Sequence, residues 1–155
     1  MRSREINSQA GVTMIEILVT LVLVTVGVLG AMSLQLNSLK SGNNSQARYQ
    51  ANIMAYEMAE RLRANPHGVD AGHYDAITMA TNYTAPTGDV AAGDLYKLDV
   101  AEWKSNLAQQ LPSGNGSITA AVGVSNKFTI TVQWIERETF GDLSSSENVT
   151  LTVRI

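Results

Sequence analysis

The order of apolar and polar positions divides the chain into stretches with different periods. Residues 17–34 read ILVTLVLVTVGVLGAMSL, apolar on every side of a helix, and no charge appears from Ile17 through Leu39 until Lys40. About 20 helical residues at about 1.5 Å each cover a hydrocarbon core of about 30 Å. Burying an all-round apolar helix inside protein would need a larger body than the remaining residues can build, so the pattern predicts a membrane-spanning helix. Residues 41–45, Ser-Gly-Asn-Asn-Ser, have low helix propensity and predict a bend, fray or pause. Further on, Ala51, Met54, Ala55, Met58 and Leu62 recur at three- and four-residue steps, while Glu57, Glu60, Arg61 and Arg63 take the other faces. That is the stripe of an amphipathic helix with one face against a head. Asn65-Pro66-His67-Gly68 should end it, because proline restricts the residue before it.

The second half of the chain changes period. Residues 66–93, rich in Gly, Ala, Thr and Asp, predict a long connection with little regular structure. A short helix is predicted over 100–111, with Asp99 as its cap, Glu102 completing a capping box, and Trp103, Leu107 and Leu111 on one face before Pro112. Ser113-Gly114-Asn115-Gly116 should then turn the chain toward strands. Phe128, Ile130, Val132 and Trp134 alternate with Thr129, Thr131 and Gln133 over 127–135, the two-residue period of a half-buried strand. Val149, Leu151, Val153 and Ile155 alternate likewise, and a weaker strand is expected over 117–124. The expected fold class is α+β, with a long N-terminal helix packed on a small antiparallel sheet of about three strands.

Composition narrows the functions. A chain of 155 residues has room for one modest core. Eleven basic against fourteen acidic residues give a net charge of −3, which leaves no electrostatic footprint for nucleic acid. Cysteine is absent, so disulfides, thiolate metal sites and a cysteine nucleophile are excluded. His67 and His73 fall in the connection with no nucleophile or metal-ligand spacing nearby, and Asp70, Asp75, Asp89 and Asp94 follow no calcium-loop pattern. No metal, cofactor or catalytic residue is assigned.

The polar leader and its boundary carry the functional signal. Arg2, Arg4 and the terminal amine precede the apolar run, against Lys40 and Arg48 after it, a small bias toward a cytoplasmic N-terminus and an external head. A secretory signal places its small-residue cleavage site behind the apolar segment. Here Gly11 stands in front of it, so cleavage there would leave the helix attached. Gly27 and Gly30 are three apart on the helix, and small residues permit close helix contact in lipid; glycine is also simply common in such helices.

The run Gly11-Val12-Thr13-Met14-Ile15-Glu16, with a short basic leader before it and an uninterrupted apolar helix after it, resembles the prepilin processing site of type IV pilins. The family usually has phenylalanine where this chain has Val12. The resemblance implies a prepilin peptidase that cuts between Gly11 and Val12 and methylates the new Val12 amine. It divides the chain into a leader at 1–11, a transmembrane and assembly helix at 12–39, an amphipathic continuation at 40–65 and a head at 66–155. Glu16 then has two readings, since an ionised carboxylate in a membrane segment costs about 2.5 to 3.5 kcal/mol on insertion scales. Either headgroups and water solvate it at the membrane edge, or it pairs with the N-terminal amine of a neighbouring subunit where packed helices exclude water, setting register in an open filament.

The stretches VGVLGAMSLQLNSLK and ANIMAYEMAERLRANP, and the helix around Trp103 leading into LPSGNG, are similar to the minor pilins. That similarity implies a subunit that primes or modifies pilus assembly, in the inner membrane with its head periplasmic before assembly and on the cell surface afterwards. The implied partners are prepilin peptidase, other minor pilins, the major pilin and a pilus-associated adhesin, with no nucleic acid. Two alternatives stay open: a pseudopilin of type II secretion or DNA uptake, and a signal-anchored periplasmic binding or enzyme domain.

Overall fold

The computed structural model describes residues 13–85, 90–124, 126–137 and 144–155. The chain divides into two compact units, Met1–Lys40 and Ser41–Ile155. Helix α1 spans Met14–Ala64 without interruption, so the bend or pause expected at 41–45 does not occur. Glycine and the Ser/Asn residues there cost about 0.5 to 1 kcal/mol each relative to alanine, but they continue a helix already nucleated on both sides. Ser45 Oγ also turns back to donate to the Ser41 carbonyl at 2.9 Å.

In the Ser41–Ile155 unit, α1 ends at Ala64 and Asn65 starts a second, five-residue helix α2, Pro66–Asp70, by accepting the Gly68 N–H on its side chain at 3.1 Å. A two-residue strand β1, Ala76–Ile77, follows. A single 3-10 turn, Ala92–Asp94, leads into helix α3, Leu95–Gln110. The remaining strands are β2, Asn115–Ala120, β3, Lys127–Arg137, and β4, Ser144–Arg154. The sheet has four strands in the order β1-β2-β3-β4, every pair antiparallel. The expected three-stranded sheet is therefore corrected to four. β1 escapes pattern reading because two residues cannot display a period.

Two further boundaries move. The third helix begins at Leu95 rather than near residue 100, which places Asp99 inside it and not at its cap. Asp99 and Glu102 mimic a capping box because acids three apart share a helix face. Here that face meets Arg61 of α1, whose guanidinium lies 3.5 Å from Asp99 and 2.9 Å from Glu102. The final strand starts at Ser144, five residues before the apolar alternation begins. Its Ser-Glu-Asn beginning is drawn into the sheet by unbroken register with β3, from Arg137 opposite Ser144 to Lys127 opposite Arg154.

The core joins one face of α1 to α3 and the sheet. Ala51, Met54, Ala55, Met58, Ala59 and Leu62 pack in one cluster with Val100, Trp103 and Leu107 of α3 and with Ile118, Phe128, Ile130, Val132 and Trp134 of the sheet. The alternation expected for β3 is thus the buried row. Trp103 is fully enclosed and its indole N–H donates to the Met54 carbonyl at 2.9 Å. Its ring lies so close to the Gly116 backbone that a Cβ there would collide with it, which explains a glycine inside a strand. The Trp134 indole N–H, also buried, has no hydrogen-bond partner among the described residues.

Candidate functional site

The candidate site is the N-terminal apolar part of α1. Val and Leu predominate from Ile17 to Leu29, broken only by Thr20, Thr25 and Gly27, so the helix has no polar face to present to water. The threonines satisfy their own hydroxyls: Thr20 Oγ1 donates to the carbonyls of Glu16 at 2.7 Å and Ile17 at 2.9 Å, and Thr25 Oγ1 to Val22 at 2.8 Å. Hydroxyls closed onto the preceding turn suit a helix that meets lipid or apolar side chains. Every large apolar side chain from Met14 to Leu39 is between 46% and 81% exposed, far more than a folded chain in water sustains on one continuous surface. The helix is long and apolar enough to cross a membrane.

Gly11 and Val12, the expected cleavage pair, lie outside the described residues. Glu16 sits in the first turn, where its N–H donates to the Thr13 carbonyl at 3.0 Å and where the helix dipole favours a carboxylate. Its side chain is exposed and makes no ion pair among the described residues. At Gly27 and Gly30 an added Cβ would meet nothing within 4 Å. A single chain leaves all three positions open to a neighbour and brings none of them together.

Three polar clusters that the sequence pattern did not disclose fix the head. Arg48 of α1 reaches Glu136 of β3 at 3.2 Å and Glu147 of β4 at 2.9 Å. Arg61 binds Glu57 at 3.0 Å besides the two acids of α3. Burial works against the charge of its guanidinium, but hydrogen bonds to Glu102 and Glu57 outweigh that and hold its pKa above the ordinary arginine value. Tyr74 joins the same cluster through Asp99: it is fully buried, accepts from Asn65 Nδ2 at 2.8 Å and donates to Asp99 Oδ2 at 2.6 Å. Burial first, and then the Asp99 bond, push its phenol pKa well up.

The third cluster belongs to Lys104. Its ammonium donates to the carbonyls of Thr78 at 2.7 Å, Met79 at 3.1 Å and Thr81 at 2.6 Å, closing the turn after β1. Asn115 Nδ2 adds a bond to the Met79 carbonyl at 2.9 Å. Burial pushes the Lys104 pKa down. The only signal in the sequence was a lysine one position after Trp103, too common a pattern to read.

His67 is exposed on α2, and the His73 ring lies 4.3 Å from that of Tyr96, tilted by 30°. No cluster of three or more histidines and carboxylates suited to a metal occurs among the described residues.

Residues 6–32 match the family model of the prokaryotic N-terminal methylation motif, and residues 33–94 match that of the type IV pilin Tt1218. The two matches abut within α1 and leave 95–155 unmatched. No curated protein and no solved structure matches the chain. The long apolar N-terminal helix and the small antiparallel sheet agree with a type IV pilin fold, and the matches support a pilin-like function.

Proposed function

We propose that the chain is a minor pilin of a type IV pilus, of the kind represented by the type IV pilus modification protein PilV. In this reading a prepilin peptidase cuts between Gly11 and Val12 and methylates the Val12 amine. The processed chain waits in the inner membrane with its head in the periplasm, then enters the filament through its N-terminal helix to prime or modify assembly with the major pilin and other minor pilins. The observation that carries the reading is the join of the methylation motif over 6–32 to an apolar helix with no polar face and no packing partner among the described residues. Secretory signals put the same chemistry in a segment that is removed; a cut in front of the helix keeps it.

The assigned roles follow from that cut. The new Val12 amine and the Glu16 carboxylate arise at one end of each subunit, so each subunit offers one cation and one anion to different neighbours. Contacts of this head-to-tail kind generate an open filament. As water leaves between apolar helices, an unpaired carboxylate becomes costly and a paired one acceptable, so the pair selects register. Gly27 and Gly30 let a neighbouring helix approach closely.

Mass analysis of the N-terminus tests this directly. The expected mature chain begins at N-methylated Val12, and Gly11→Ala should leave the leader attached. A native protein that begins at Met1, or a Gly11→Ala variant that migrates like the processed form, would overturn the reading.

A further inference from the structure

The start of β2 brings together two residues that the fold fixes for unrelated reasons. Residue 116 has to be glycine, because a Cβ there would collide with the Trp103 ring. Residue 115 holds the neighbouring turn. Asn115 Nδ2 donates to the Met79 carbonyl at 2.9 Å, and the Lys104 ammonium donates to the same oxygen at 3.1 Å. The result is the one Asn-Gly pair in the chain. A glycine after an asparagine matters chemically, since no side chain screens its amide nitrogen from the carboxamide before it. Here the two already touch: Gly116 N–H donates to Asn115 Oδ1 at 2.7 Å.

We propose that Asn115 is a self-modification site, at which the Gly116 nitrogen displaces the side-chain amide as ammonia, and that the clamp on the Met79 carbonyl sets the rate. Gly116 N gives its proton to water or hydroxide and bonds to Asn115 Cγ. The Cγ–Nδ2 bond breaks, and Nδ2 takes a proton from water and leaves as ammonia. Water then opens the five-membered imide at one of its two carbonyls, leaving an aspartyl or an isoaspartyl linkage. Water is the only co-reactant.

The fold restrains this step without forbidding it. Asn115 lies opposite Gln133 and Gly116 opposite Val132, and the imide needs the linkage between them to turn out of that extended form. The leaving amide is also tied to the Met79 carbonyl, which Lys104 holds in place through its bonds to the turn at 78–81. Asn115 is nevertheless the first residue of its strand and only half-buried, so a fluctuation at one end of the ladder releases it and admits water. The consequence is local and irreversible. A carboxylate in place of the amide faces the Met79 carbonyl with no hydrogen to donate. An isoaspartyl linkage adds one backbone atom and shifts Gly116 from its place against Trp103. The inference concerns the head and goes beyond the pilin reading; its test reads out at residue 115 whether or not Gly11 is processed.

The test incubates the full chain in detergent at mildly alkaline pH, beside the same chain in denaturant, and follows proteolytic peptides covering residue 115 by mass and fragmentation. Both samples should convert at Asn115, the folded one about tenfold more slowly. Lys104→Met, which frees the Met79 carbonyl, should speed the folded chain about tenfold while the head still melts cooperatively; Lys104→Gln serves if that variant misfolds. Asn115→Gln, which would have to close a larger ring, should show no conversion at that position. Absence of product at Asn115 in the folded chain, equal rates in folded and unfolded chains, or an unchanged rate in a folded Lys104 variant would each overturn the proposal.

Discussion

Residues 14–39 and 51–62 belong to one helix, and both are rich in large apolar side chains, yet they meet opposite fates. In the first stretch every such side chain is at least 46% exposed; in the second the stripe Ala51, Met54, Ala55, Met58, Ala59 and Leu62 is 0–5% exposed. The difference lies in the period. The second stretch sets most of its apolar residues on one face and leaves the others to Glu57, Glu60, Arg61 and Arg63 with only Ile53 and Tyr56 exposed among them, so water and core can both be satisfied. The first has no polar face, and its surroundings must be apolar on all sides. The lesson is that hydrophobicity alone does not distinguish a core from a membrane segment, whereas its angular distribution does.

Core truncation should separate the stretches most strongly. Trp103→Ala removes a fully buried ring and its bond to the Met54 carbonyl, and should cost the head about 3 to 5 kcal/mol. Leu21→Ala, in the exposed stretch, should leave head melting unchanged. Calorimetry of both variants in the same detergent makes the comparison, and an equal loss would erase the distinction. Leu23→Arg should do the reverse. It should penalise insertion by about 2.5 to 3.5 kcal/mol, read as protein lost from the membrane pellet, with the head transition unmoved.

Two smaller effects sharpen the account of the head. Lys104→Met strips three carbonyls of their donor, and should cost about 1 to 3 kcal/mol with faster amide exchange confined to the turn at 78–81. Tyr74→Phe should cost about 1 kcal/mol near neutral pH. It should also change the alkaline limb of the stability curve. The folded phenol pKa stands above its ordinary value of 10.0, so its contribution is complete below pH 10 and fades as pH rises through the folded pKa. Between those limits the wild type should lose stability more steeply than Tyr74→Phe in denaturant titrations; parallel curves would contradict the assignment.

The legible parts of the molecule were those with a long repeat. The apolar run, the Met and Ala stripe, the Trp103 and Leu107 face and the alternation of β3 all appear where the periodicities place them, while Leu111, also buried, stands in extended backbone just past the helix. What escaped was decided by tertiary partners. Asp99 reads as a cap because nothing local reveals that Arg61, far off in the chain, will face it. Residues 144–148 lack strand composition and are strand only because β3 extends far enough to pair with them. The helix persists through 41–45 because weak local propensity yields to a long helix on either side. For the candidate site, Glu16 stood out because a single carboxylate borders an apolar run; in the proposed reading its partner belongs to another subunit, which no single sequence displays.

The central claim is that residues 14–39 leave lipid for a bundle of like helices with Glu16 paired on the way. It is tested most directly by Glu16→Ala expressed from its own promoter, with the protein quantified in membranes and in sheared filaments. The account predicts wild-type levels in the membrane and at least a tenfold loss from the filaments. Recovery of the variant in sheared filaments at the wild-type level would contradict it.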